Sequence, residues 1–205
     1  MTIVKARFVI ELASNMINPS SASLLTPHPR TVSQFVDTIE AQLTCNERKT
    51  LTLVYRLKGE MTRLRIPVPR PPRRADKLWQ HTCFEAFIRT NASPDYYEFN
   101  FCPSGEWAAY AFHSYRYGGP LDDDRFTPAI SLKSENDCLD LIAVVGLDRL
   151  PANKPGQILQ LGLSAVIEET DGKLSYWALK HPSDKPDFHH PDSFALELAL
   201  PGERA

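Results

Sequence analysis

Residues 78–110 contain two stretches, LWQHTCFEAFI and YYEFNFCPSGEWAAY, that gather acids, an amide and thiols into one alternating pattern. Tyr97, Phe99 and Phe101 alternate with Glu98, Asn100 and Cys102, the period of two that marks an extended strand. In the first stretch Thr82, Phe84, Ala86 and Ile88 share one face, while His81, Cys83, Glu85 and Phe87 share the other. The linker RTNASPD is turn chemistry. A hairpin closing about Ala92 and Ser93 sets Cys83 against Cys102 and Glu85 against Asn100, with Glu98 alongside. Carboxylates and amides so placed supply the paired acceptors and donors that vicinal hydroxyls of a polyol need. The competing reading is a solvated outer face, or ion pairs with arginines of residues 63–74.

Other residues extend that row. Trp79 precedes the first strand beside basic residues; its flat ring could stack on a sugar or a ligand cation, or simply plug the end of the fold. His81 offers a ligand, an acid–base group or a partner for Glu85, against the ordinary structural role of a lone histidine. Arg73 and Arg74 could grip an anionic substituent through their guanidinium forks, although a stiff soluble connector is favoured for that loop. Trp107 and Trp177 fall inside strands and read as core. His189 and His190 are neighbours, so in extended chain they point apart; His181 with His189 is the remaining metal or haem pair. Asp187, Phe188 and His189 are expected to pin the last loop through side-chain bonds to backbone.

Catalysis finds little support. A glycosidase needs two carboxyls about 5–9.5 Å apart on either side of a scissile bond, whereas cross-strand neighbours about 5 Å apart share one surface. Cys83 and His81 share a strand face without meeting as a thiol–base pair. Gly162-Leu163-Ser164 lacks the second glycine of a nucleophile elbow. No dinucleotide or phosphate-loop pattern occurs. Four cysteines with no CxxC do not form a zinc pattern.

The elements that must hold these residues are short strands. The 205 residues suffice for one core and are too few for two comfortable domains. Seventeen prolines against nine glycines fit strands joined by stiff connectors rather than a helical bundle. Residues 1–23 read as an N-terminal extension with one expected strand at residues 4–12, and residues 24–205 as a single domain. In residues 31–44, Val32, Phe35, Val36, Ile39 and Leu43 fit helical spacing, yet Ile39, Ala41 and Leu43 also alternate. Asn46-Glu47-Arg48-Lys49 and the strong β run LTLVYRL that follows favour a hairpin. RLRIPVPRPPRRAD, with five arginines and four prolines, is an extended connector. A strand at residues 107–115 follows, then YGGPLDDDRF as a loop, then the alternating CLDLIAVVGL. LQLGLSAVIEE and LSYWALKHP flank an Asp171-Gly172 turn, and a proline-pinned loop leads to a last strand. Eight to ten strands predict an all-β antiparallel sandwich, jelly-roll-like in type.

LWQHTCFEAFI, EFNFCPSGEWAAY and PDFHHPDSFALEL together resemble the DOMON-like superfamily, and within it the family 9 carbohydrate-binding-module branch in its short stand-alone bacterial form. The resemblance spans about residues 24–200. It implies a β-sandwich that binds sugar or haem and catalyses nothing. In the carbohydrate-binding members a tryptophan shortly before an acidic strand residue stacks on the sugar and the acid accepts its hydroxyls; Trp79 and Glu85 hold those positions. A second clamping aromatic belongs near the C-terminal end, where this chain offers Trp177 and then His181-Pro182. Haem-binding relatives use an axial methionine or a histidine pair, and only histidines are suitably placed here.

The expectation is therefore a non-catalytic module for a saccharide or polyol, held by Trp79, Glu85, Glu98 and Asn100, with His81 and Arg74 as further contacts. No cofactor is expected, haem being the alternative in a haem-binding electron-transfer domain; a structural or interaction protein using its sheet face is the other. A net charge of −2 and no interleaved aromatic platform argue against nucleic acid. No run approaches the roughly 18 apolar residues of a membrane span. The first residues lack a signal-peptide core, so a cytoplasmic location is expected. Oligomeric state is not legible.

Overall fold

The computed structural model describes residues 22–90, 93–147, 150 and 156–201. The strand expected at residues 4–12 lies outside them. Twelve strands run antiparallel: β1 (Ser23–Pro27), β2 (Val36–Cys45), β3 (Thr50–Gly59), β4 (Cys83–Thr90), β5 (Tyr96–Phe101), β6 (Trp107–Ser114), β7 (Tyr117–Pro120), β8 (Ala129–Ser134), β9 (Cys138–Gly146), β10 (Ile158–Glu168), β11 (Leu174–Ala178) and β12 (Leu196–Ala199). One layer has the order β1-β2-β3-β9-β8 and the other β7-β6-β5-β4-β10-β11, with β12 also pairing β10. β1 belongs to both: its first half pairs β2 at Leu25↔Ile39 and its second half pairs β11 at Thr26↔Ala178. No helix among the described residues is long and apolar enough to cross a membrane.

Alternation decides which face is core. Phe84, Ala86 and Ile88 of β4 turn inward with Phe99 and Phe101 of β5 and Leu161, Leu163 and Ala165 of β10. They meet Leu51, Leu53, Tyr55 and Leu57 of β3 and Leu139, Leu141 and Ala143 of β9. Burying one such large side chain contributes about 1.5–3 kcal/mol. Tyr55 ties the layers together, its buried hydroxyl donating to the Glu85 carbonyl at 2.7 Å.

The hairpin reading of residues 31–44 with the β run after them holds from Val36 onward, residues 31–35 being outside the strand. β2 and β3 pair from Val36↔Gly59 to Cys45↔Leu51, and the Asn46 side chain accepts the amides of Arg48 and Thr50 at 3.0 Å. Helical spacing there was a by-product of a half-buried strand. Two corrections concern weak strands. YGGP is not loop but β7, an edge strand packed so tightly that a Cβ at Gly118 would lie 2.1 Å from the Ala111 carbonyl oxygen. β8, also at an edge, was not anticipated, because AISLKS is short and only half-buried. Ser23, assigned above to the N-terminal extension, opens β1.

The proline-rich connector lies against the start of β6 through Trp107 N–H→Arg73 O (3.0 Å) and Ala75 N–H→Trp107 O (2.9 Å). Its arginines pair locally: Arg73 with Glu106, Arg65 with Glu168 and Arg74 with Asp76. None is an ion-pair partner of Glu85 or Glu98.

Candidate functional site

The outward face of β5, β4 and β10 is built in rows. Asn100, Glu85 and Ser164 form one row across the three strands; Tyr110, Glu98, Phe87 and Gly162 form the next. The register inferred from the turn, Glu85 against Asn100, is the register observed. The second row ends on glycine for a steric reason. A Cβ at Gly162 would sit 3.1 Å from the Ser193 carbonyl oxygen, where residues 179–195 cross the sheet between β11 and β12.

That crossing segment closes a cavity of about 320 Å³ over the rows, near the lower end of the ~300–1,000 Å³ typical of small-molecule sites. Glu85 and Glu98 are on its floor. Trp79, Tyr110 and Phe112 wall one side, Tyr176 and Phe188 the other, and Arg116 and His189 also line it. Trp79 stands edge-on to Tyr110 at 5.7 Å and is 39% exposed. Its short 3-10 helix (Leu78–Gln80) is held down by Leu78, buried with Cys83, Cys102, Ala108 and Tyr110.

The polar network is ordered. Asn100 Nδ2 donates to Glu98 Oε1 at 2.7 Å, and Ser164 Oγ donates to Glu85 Oε2 at 3.2 Å. The Arg116 amide donates to Tyr96 Oη at 3.0 Å. The Tyr96 hydroxyl, 2.9 Å from His189 Nδ1, is then free to donate to it. That tautomer leaves the His189 hydrogen on Nε2, 3.6 Å from Glu98 Oε2. Asp187 anchors the crossing segment by accepting from Arg116 Nη2 and Tyr115 Oη, each at 2.8 Å.

Burial sets the protonation states. It drives Glu85 well above the usual carboxylate range, and the neighbouring Glu98 adds to the rise. Burial lifts Glu98 to about 7, against the opposing pull of Asn100 and Arg116. His189 is pushed down to about 4 by burial and by Arg116, so it is neutral near pH 7. The floor therefore retains a proton at neutral pH. Burial likewise raises the Cys83 thiol, and the described cysteines are free.

Of the residues singled out from sequence, the cavity brings together Trp79, Glu85 and Glu98. Asn100 lies fully buried and orients Glu98 from beside it. His81 is elsewhere: its Nδ1 is 2.7 Å from Glu168 Oε2, so its acidic partner is Glu168 and not Glu85. Arg74 acts at one remove, binding Asp76, which accepts from the wall residue Tyr110 at 3.1 Å. The second aromatic side is not Trp177, which is core and donates to Ser175 Oγ, but Tyr176 and Phe188. His181 is not beside His189; its Nε2 is 2.9 Å from the Thr26 carbonyl oxygen and its ring packs against His28. Among the described residues no cluster of three or more metal-ligating side chains occurs. Asp187 pins its loop as expected, accepting the His189 amide at 3.2 Å. Arg116, Tyr176, Phe188 and His189 were not anticipated as lining.

No protein-family model matches the chain, and no curated protein matches it. Solved structures do share its fold. A Bacteroides uniformis protein provisionally assigned as carbohydrate-binding is 14% identical, with a TM-score of 0.64 over 92% of this chain and 91% of that one. A family 9 carbohydrate-binding module from Caldicellulosiruptor kristjanssonii in complex with cellotriose is 12% identical, with a TM-score of 0.56 over 89% of this chain and 83% of that one. A family 9 module from the same organism in complex with glucose is 13% identical, with a TM-score of 0.50 over 84% and 80%. The chain thus has the β-sandwich fold of carbohydrate-binding modules.

Proposed function

We propose that this protein is a non-catalytic module that binds a saccharide or related polyol, and that it is a DOMON-like relative of the family 9 branch. The observation that carries the reading is the cavity itself: aromatic walls on two sides above a floor of carboxyls. Flat rings desolvate the apolar faces of a sugar, and the floor satisfies hydroxyls that would otherwise be buried unpaired. Glucose and cellotriose in the family 9 structures support a ligand of this class. Glu85 and Glu98 sit on neighbouring strands of one floor, an arrangement suited to binding rather than to flanking a bond. Nucleic acid and membrane partners form no part of this reading.

Calorimetric and thermal-shift screening of mono- and disaccharides against wild type and Glu85→Ala tests it. Wild type should give saturable heats and a raised Tm with at least one sugar. The variant should bind that sugar about tenfold or more weakly, because its Ser164 and sugar partners lose an acceptor. Equal null responses from both proteins would remove the proposal.

A further inference from the structure

Resting on that reading, we propose that the saccharide carries an ammonium group, as in a 2-amino-2-deoxy sugar, seated over Glu85 and Glu98. The floor of the cavity carries acid with no cation bonded to it. Glu85 is 2% and Glu98 5% exposed, and each spends one oxygen on a neutral donor, Ser164 and Asn100 respectively. Glu85 Oε1 accepts no hydrogen bond from the described residues, and Glu98 Oε2 has only His189 Nε2 at 3.6 Å. The guanidinium that lines the cavity, Arg116, is committed to Asp187 at 2.8 Å. Arg116 pulls on both carboxyls through space, but its ion pair is with Asp187, and neither Glu85 nor Glu98 has a cation in contact among the described residues.

The groups facing that pair are few. Arg116 approaches from between β6 and β7, His189 and Asp187 from the crossing segment, and the phenols of Tyr96, Tyr110 and Tyr176 and the thiol of Cys83 from the sheet. His189 is neutral near pH 7 and the phenols stay protonated, so the positive charge here is that of Arg116, which is bound to Asp187 rather than to either glutamate. A ligand ammonium would supply a cation in contact, donating to both free oxygens in a desolvated site. The walls suit the same group, since the aromatic side chains of Trp79, Tyr110, Phe112, Tyr176 and Phe188 line the cavity. A neutral sugar can bond the floor with its proton in place, whereas an ammonium can take that proton's position between the two carboxyls. Because the floor holds a proton at neutral pH, seating a cation should expel it.

Calorimetric titration of glucosamine, N-acetylglucosamine and glucose into the full chain decides the matter, in buffers of different ionisation enthalpy. Glucosamine should bind about tenfold or more tightly than the other two at neutral pH, with net proton release. Glu85→Gln and Glu98→Gln, checked for native circular dichroism, should abolish the preference of glucosamine over glucose and the proton release that goes with it. Glucose binding as tightly as glucosamine, or glucosamine binding without proton release, would overturn the inference and leave the saccharide reading standing. Absence of binding by all three, with other neutral sugars bound, would overturn it too. Absence of binding by every sugar would remove both.

Discussion

Unfolding free energy should fall by about 1–3 kcal/mol between about pH 6.5 and about pH 8, and Glu85→Gln/Glu98→Gln should remove most of that fall. The sign follows from the floor of the cavity. Both carboxyls have folded-state pKa values above their unfolded value of 4.5, Glu98 at about 7 and Glu85 well raised, with burial the leading cause in each. A carboxyl that titrates later when folded holds a proton the unfolded chain has already lost. Its contribution is present in full below the unfolded pKa and disappears as pH rises through the folded value. His189 has the opposite sign: its pKa is depressed from 6.5 to about 4, so its contribution is lost as pH falls. That opposition confuses the acid side, and the window above 6.5 isolates the two glutamates. Denaturant titrations at the two pH values measure the difference. A wild-type profile that is flat, or that rises, would show that the carboxyls are ionised and matched in the folded protein.

Trp79→Ala should weaken saccharide binding by about 10–100-fold while changing stability by under about 1 kcal/mol. The indole is 39% exposed on the cavity wall, and its short helix is anchored by Leu78 rather than by the ring. Trp177→Ala is the contrasting case. That ring is 4% exposed in the core, so its removal should cost about 3–5 kcal/mol. Isothermal titration together with chemical denaturation of both variants separates wall from core. Unaltered affinity in Trp79→Ala would detach the indole from the ligand.

How far the chain could be read depended on whether a residue's placement was local. Glu85 against Asn100 followed from alternation and one turn, and the β10–β11 hairpin followed from Asp171-Gly172. That second register also fixes the side on which Tyr176 lies. It pairs Trp177 with Ala165, whose neighbours Leu163 and Ile167 are core, so position 176 must face outward. Tyr176 was thus recoverable and Trp177 was a distraction. Phe188 and His189 were not recoverable: they reach the site because Asp187 binds Arg116 and Tyr115, more than seventy positions away in the chain. His81 shared a strand face with Glu85 by parity, yet it lies beyond the end of β4, where Glu168 captures it. Edge strands β7 and β8 escaped because glycine and exposed polar residues carry little periodic signal.

In the proposed site, sugars enter beside Trp79. The protein has three tryptophans, and only Trp79 lines the cavity while Trp107 and Trp177 are core. Three indole N–H resonances can therefore be followed in a two-dimensional nitrogen–proton spectrum as saccharide is added. Saturable movement of the Trp79 resonance, with the other two nearly still, is the predicted result. Saturable binding that leaves Trp79 unmoved would place the ligand elsewhere and contradict the account.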